Sequence, residues 1–586
     1  MKRSIALILA LAMVISLLAA CGSTASSGGS ETPASSAASS ESTAPASSSE
    51  AAAPAESTEP VAEDNRYMKL SPQLNETLSG LRPTYVAGYG VVSQMMFGNL
   101  LRYNLDTKEY VPALAEVTVS DDGLTYTATL KDGMEFHDGS PITADDVIFT
   151  YTNTICLSGA RVNKLTNIVG YDDFAGTWTE SWGHDSVPEI PGIKKIDDKT
   201  VAFTLSQKNS LFIEAMANGC FGILPKAYFI GKTEQEVATY WSNPVGSGAY
   251  YVAETNYPNY IVLKAWEKYY DPSGIPQVLC TYYADNEALF AAMIAGDYDL
   301  LTGLEEETAN NIMSQNSDIV GVPTVSSYRR WFMLNCSGVA KDGQAHPSLM
   351  NQRVRQALNL IVDKNAIAQL YGSMATPLTS MINPAKDEYN KDLPTWERDV
   401  EKGKQILDEE GFRYDIPIRL FSNYGDEITA DFCEMVVQQF AEAGVTVEYT
   451  IDTNWQAYLP YGDYDWRYAG GQSSMPIELF SDTVYSALSG TTKVNFPMEE
   501  DWVEPYLTER YDNLVNAYKA SSDPVEQKEL LDQIQANAYE DMFEIPLYSL
   551  NRYNLVNSAH VEGIPMWSAD DEEVADRQFS KWHFVD

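Results

Sequence analysis

Basic residues are scarce in this chain: 39 Lys and Arg stand against 82 Asp and Glu, a formal charge of −43 over 586 residues. So acidic a surface repels phosphate backbones, which excludes nucleic acid as a partner, and it repels anionic lipid too. Cysteine is also scarce, at six, and no Cys-x-x-Cys pair exists to form a zinc or redox site. Apart from Cys21, the five cysteines are Cys156, Cys220, Cys280, Cys336 and Cys433. They read as small buried hydrophobes, with one disulfide possible but its partners unassigned. The five histidines (His137, His184, His346, His560 and His583) are scattered, with no His-Glu-x-x-His spacing. Neither a Gly-x-Ser-x-Gly elbow nor a Gly-x-x-x-x-Gly-Lys phosphate loop is present. No metal or cofactor is expected, and catalysis has no motif to carry it. Past residue 20 no apolar run reaches the roughly 20 residues that cross a bilayer.

What is present begins with an export signal. Lys2 and Arg3 precede an apolar stretch at residues 5–20, short for a membrane span and suited to a signal-peptide core. It closes Leu18-Ala19-Ala20-Cys21, which resembles a bacterial lipobox. A signal peptide is therefore expected over 1–20, with Cys21 lipidated and the protein anchored on the extracytoplasmic face of the cell membrane by lipid alone. Residues 21–60 contain no aromatic residue and no Leu, Ile or Val. Such a stretch cannot bury enough apolar surface to offset its ordering entropy. A disordered Ser/Ala-rich tether over 21–65 is expected, with a reach on the order of 35 Å.

The rest is globular material, 44% hydrophobic and 11% aromatic, enough for two or more lobes. Val117 and Val119, then Tyr126, Ala128 and Leu130, alternate across an Asp121-Asp122-Gly123 turn, which predicts a hairpin. Thr143-Ala144-Asp145-Asp146 has capping-box form and starts a helix, which accounts for Asp145 and Asp146 better than a catalytic carboxylate pair does. Strand, helix and strand are predicted over 281–284, 286–295 and 296–300, and again over 416–421, 428–443 and 445–449. Segments of this length imply parallel pairing through a crossover. Residues 351–364 read as an amphipathic helix with Val354, Ala357, Leu358 and Ile361 inward. The class is mixed α/β, an early β-rich lobe followed by an α/β lobe.

Several ordered stretches resemble the bacterial extracellular solute-binding proteins of the oligopeptide-, dipeptide- and nickel-binding type. Val111-Pro112-Ala113-Leu114-Ala115-Glu116 and Lys131-Asp132-Gly133-Met134-Glu135-Phe136-His137-Asp138-Gly139 look like its early signature. Pro244-Val245-Gly246-Ser247-Gly248-Ala249-Tyr250, Arg353-Val354-Arg355-Gln356-Ala357 and Glu544-Ile545-Pro546-Leu547-Tyr548 follow in family order. The resemblance implies a two-lobed periplasmic-binding-protein-like fold with three domains and a hinge between the lobes. It places domain I at 66–104, 227–328 and 551–586, domain II at 105–226 and domain III at 329–550. Crossings between lobes are expected near 328–335 and 548–553.

The resemblance also bears on the ligand. Peptide-binding members hold the ligand ammonium with an aspartate after Gly-Trp; here Gly471 replaces the tryptophan, and Gln472, Ser473 and Ser474 stand where the aspartate is expected. Glu478 or Asp482 could supply the carboxylate from a shifted position. Tyr328, Trp331, Tyr424, Trp455, Tyr458 and Tyr468 are candidate cleft aromatics, apt for peptide side chains or sugar faces. For each, a place in the core is the plainer reading. Arg329 and Arg467 are candidate carboxylate anchors, with a structural ion pair as the plainer reading. The expected function is peptide capture for an ABC importer by a monomer that docks on permease and ATPase subunits. An oligosaccharide-binding protein of the same fold is the alternative. A secreted lipoprotein hydrolase and a signalling receptor are the alternatives from other classes.

Overall fold

The computed structural model describes residues 66–70, 90–159, 161–256, 259–281, 283, 285–338, 345–453, 464–471, 473, 475–480, 503–567, 571 and 574–586. Cys21, the tether, Trp455, Tyr458, Gln472 and Asp482 lie outside them.

Three sheets organise the body. The first has seven strands in the order Ile319–Thr324, Arg552–Asn557, Leu300–Leu304, Met68–Leu70, Gln277–Thr281, Tyr260–Ala265 and Tyr250–Asn256. The second is four-stranded and antiparallel: Ala115–Val119, Thr125–Leu130, Thr200–Thr204 and Ile193–Lys195. The third has six strands, ordered Ala375–Pro377, Glu544–Leu550, Arg329–Leu334, Trp466–Gly471, Ile418–Ser422 and Val447–Ile451. One large core joins the first two sheets, with Tyr151, Phe203, Ile261, Val278 and Trp582 among its members. A second core, including Phe332, Phe432, Trp466 and Ile545, belongs to the six-stranded sheet. Two cores on separate sheets make two lobes. The chain passes from one to the other between Thr324 and Arg329 and returns at Asn551.

The local chemistry follows the sequence closely. The first hairpin pairs Val117 with Ala128 and Val119 with Tyr126, and Gly123 takes φ +70° in its turn. Thr143 and Asp146 form the capping box of the helix Ala144–Leu157. The second Asp146 oxygen accepts from Lys226 N at 2.9 Å, while Asp145 pairs at the surface with Lys195. Both carboxylates are structural. Ile418–Ser422 and Val447–Ile451 pair in parallel across the helix Glu427–Ala441, as that spacing requires. In the fully buried strand Glu544–Leu550, Pro546 cannot donate to the ladder. The register shifts beside it, between Arg330 and Trp331 of the neighbouring strand.

Two expectations need correction. The strands Gln277–Thr281 and Leu300–Leu304 are parallel but do not pair, because Met68–Leu70 lies between them and bonds to both. A segment more than 200 residues upstream had to be placed, and periodicity carries no such information. The helix expected over 351–364 is two helices, Gln352–Ile361 and Lys364–Gln369, because Asp363 caps the second by accepting from Ala366 N at 2.9 Å.

The glycine motif at 244–250 packs backbone against backbone. A Cβ on Gly246 would stand 2.0 Å from Met96 O, and one on Gly248 2.4 Å from Met95 O. His137 fastens the same turn: its Nδ1 accepts from Gly246 N at 3.1 Å and its Nε2 donates to Gly248 O at 3.0 Å. Burial lowers its pKa to about 4, so the ring is neutral. The five cysteines from Cys156 onward are all free and buried.

Candidate ligand site between the lobes

The crossing strand Arg329–Leu334 is flanked on both sides, by Trp466–Gly471 and by Glu544–Leu550. Successive side chains of a strand face opposite ways, so Arg329 and Arg330 have different fates. The Arg329 guanidinium is buried; it lies 4.4 Å from the Trp331 ring and donates to Gly471 O at 3.1 Å and Leu479 O at 2.5 Å. Both acceptors are backbone carbonyls, which counts against the expected role of carboxylate anchor. Arg467 sits on the neighbouring strand, with Nη2 3.5 Å from Asn423 Oδ1. Trp331 is buried in the second core.

Arg330 stands directly opposite Gly470 on one side and Tyr548 on the other. Its guanidinium carbon lies 3.6 Å from the Tyr424 ring centre and 5.2 Å from those of Tyr328 and Tyr468. The Tyr468 hydroxyl bonds to that of Tyr548 and lies 3.4 Å from that of Tyr371. Burial raises the pKa of the Tyr468 and Tyr548 hydroxyls, so both rings are neutral. Arg330 itself is half-buried; desolvation opposes its charge, yet the surrounding tyrosines raise its pKa and it stays a cation. Among the described residues no carboxylate pairs with it, and its buried Nε and Nη1 have no hydrogen-bond partner. The structure brings Tyr328, Tyr424 and Tyr468 together around Arg330, with Tyr468 fully buried in the second core and Tyr328 and Tyr424 packed against it. The one sequence signal for Arg330 was strand parity, which puts it on the same face as Tyr328.

The surroundings join both lobes. Arg552, first residue of the returning strand, approaches the Tyr328 ring at 5.2 Å and pairs with Glu305. On the other flank, Tyr103 and Lys108 of the first lobe meet Ser327 of the crossing and Asp387 and Ser473 of the second around a cavity of about 290 Å³. Glu478 also faces across: its Oε1 lies 3.2 Å from Lys164 Nζ, and Oε2 accepts from Ser473 Oγ at 2.7 Å. Burial would raise its pKa, but the Lys164 ammonium and the Ser473 hydroxyl hold it below the usual carboxylate range. Its charge is therefore committed within the protein, which counts against the role of ammonium anchor expected of it. Among the described residues no cluster of three or more His, Cys, Asp and Glu could hold a metal, and no helix is long and apolar enough to cross a membrane.

Two lobes joined by paired crossings are the frame of a solute-binding protein. The chain belongs to the bacterial extracellular solute-binding proteins, family 5, whose middle-region model matches residues 109–496. Its similarity to the glutathione-binding protein GsiB of Escherichia coli K12 is 24% identity over 504 residues, 83% of this chain and 88% of that one. Among solved structures, the ABC transporter substrate binding protein CtaP of Listeria monocytogenes superposes with a TM-score of 0.67 at 22% identity, covering 89% and 99% of the two chains. The oligopeptide-binding protein AppA of Bacillus subtilis, in complex with a nonapeptide, gives 0.64 at 21%, with the same coverage. These structural likenesses establish the fold.

Proposed function

We propose that the chain is the lipid-anchored substrate-binding component of an ABC importer and that it captures peptides between its lobes without chemical change. The observation that carries this reading is the tyrosine cluster at the lobe crossings, in a chain of this family whose relatives bind glutathione and a nonapeptide. Rings with polar tips accept varied side chains, as peptide binding demands. Closure of two lobes by hinge motion encloses such a ligand, and transfer to a permease would follow from the closed form. The lipobox at Cys21 and the tether would keep the body near that permease.

Thermal unfolding of the body lacking residues 1–20, with Cys21→Ser, tests the reading against glutathione, mixed peptides and oligosaccharides. A ligand at a hundred times its Kd adds about 2.7 kcal/mol of stability. A shift with peptides supports the assignment; a shift with oligosaccharides alone overturns it.

A further inference from the structure

Arg330 differs from Arg329, Arg419, Arg510 and Arg552. Arg419, Arg510 and Arg552 each face a carboxylate, at 3.1, 3.0 and 3.1 Å, and Arg329 donates to carbonyls. The cation of Arg330 is held by rings. Its guanidinium carbon lies 3.6 Å from the Tyr424 ring centre, a cation–π distance, and its N–H groups lie in the guanidinium plane. Two of the nitrogens, Nε and Nη1, are buried without a partner among the described residues. They lie on different edges of the guanidinium, and each can give a carboxylate oxygen one charge-assisted hydrogen bond.

The neighbouring backbone makes room for it. Gly470 lies opposite Arg330, and a Cβ there would stand 2.5 Å from Arg330 Nη1 and 2.9 Å from the Tyr424 hydroxyl. The guanidinium lies over this glycine because no side chain occupies the spot. Position agrees as well: Tyr328, against one side of the cation, meets Arg552 of the first lobe, so the group sits where the lobes join. The acidic candidate for a ligand ammonium, Glu478, is already paired with Lys164.

We propose that Arg330, framed by Tyr328, Tyr424 and Tyr468, receives a carboxylate of the captured solute, so that the chain selects peptides by a C-terminal or side-chain acid. This rests on the reading that a peptide is captured between the lobes. A neutral oligosaccharide brings no counter-charge to the site. A buried cation without an anion costs stability in the ligand-free protein, which a purely structural arginine would not do.

The test uses the body lacking residues 1–20 with three probe sets: peptides with free C-termini, the same peptides amidated and lacking acidic side chains, and neutral oligosaccharides. Free acids should bind and the amidated set should bind about 10- to 100-fold more weakly, the range of one charge-assisted contact. Arg330→Met should abolish that preference while the ligand-free protein melts no lower than wild type. Gly470→Ala, which keeps the arginine but pushes its Nη1 aside, should weaken the acids and spare the amides. Equal binding of acids and amides by wild type overturns the proposal and leaves peptide capture standing, as does an Arg330→Met protein that melts lower yet keeps the preference. Binding of oligosaccharides alone, or of no probe, overturns both.

Discussion

Lys164 reaches Glu478 across the lobes, Nζ to Oε1 at 3.2 Å, and at the same time holds Glu214 at 2.8 Å. Lys164 lies in the short turn Val162–Leu165 of the first lobe and Glu478 in Pro476–Phe480 of the second. One ammonium therefore serves two carboxylates, of which Glu214 is fully buried and Glu478 partly exposed.

The two substitutions at this link should separate. Lys164→Met takes the nearby cation from a buried carboxylate and should cost about 3 kcal/mol of folding stability. Glu478→Gln removes only the interlobe charge and should cost about 1 kcal/mol or less, while weakening ligand binding through loss of a closing contact. Urea unfolding and calorimetric titration of both variants measure the two effects.

The same link sets an acid limit. The Glu478 pKa is lowered in the folded state, so its contribution is present above the unfolded value and is lost as pH falls through the lower folded one. Ligand affinity of the wild type should therefore hold from pH 7 to about 5 as far as this contact is concerned. Titrations at the two pH values, with Glu478→Gln as reference, check it.

His137 also loses stability as pH falls, though here the favoured deprotonated form is neutral. Its folded pKa of about 4 lies below the ordinary value of 6.5, so the unfolded chain binds the proton more readily. Stability should decline as pH falls from about 6.5 towards 4, by about 2–3 kcal/mol in all, and level off below. Replacement by Gln should flatten that part of the curve. Urea midpoints across this range give the measurement.

Gly248 admits no side chain. Its Cβ would meet Met95 O at 2.4 Å and Met96 C at 2.6 Å, both backbone atoms that cannot swing away. Gly248→Ala should destabilise the first lobe by about 3 kcal/mol, whereas Gly133→Ala, with nothing within 4 Å of its Cβ, should cost only the strain of its φ of +77°. Comparing the two melts separates crowding from backbone preference.

Local chemistry was the legible part of this fold. The Asp122-Gly123 turn, the Thr143 cap and the alternation on either side of them act within a few residues, and the structure follows them. The insertion of Met68–Leu70 between two later strands was not legible, since its partners are set by three-dimensional packing. The site divides the same way. Tyr328, Tyr424 and Tyr468 stand close together, but telling Arg329 from Arg330 required knowing which face of one strand meets the carbonyls of Gly471 and Leu479. The pairing of Glu478 was out of reach for a related reason: its partner Lys164 is 314 residues away and in the other lobe. The motif glycines and arginines hold backbone in place, as Gly246 and Arg355 show.

Capture without chemistry is the claim on which the account stands. Native mass spectrometry of the body lacking residues 1–20, mixed with a peptide found by thermal shift, weighs the complex and then the released ligand. The account predicts one peptide per chain, released at its original mass after prolonged incubation. A cleaved or modified peptide, or a chain that carries none at saturating concentration, would contradict it.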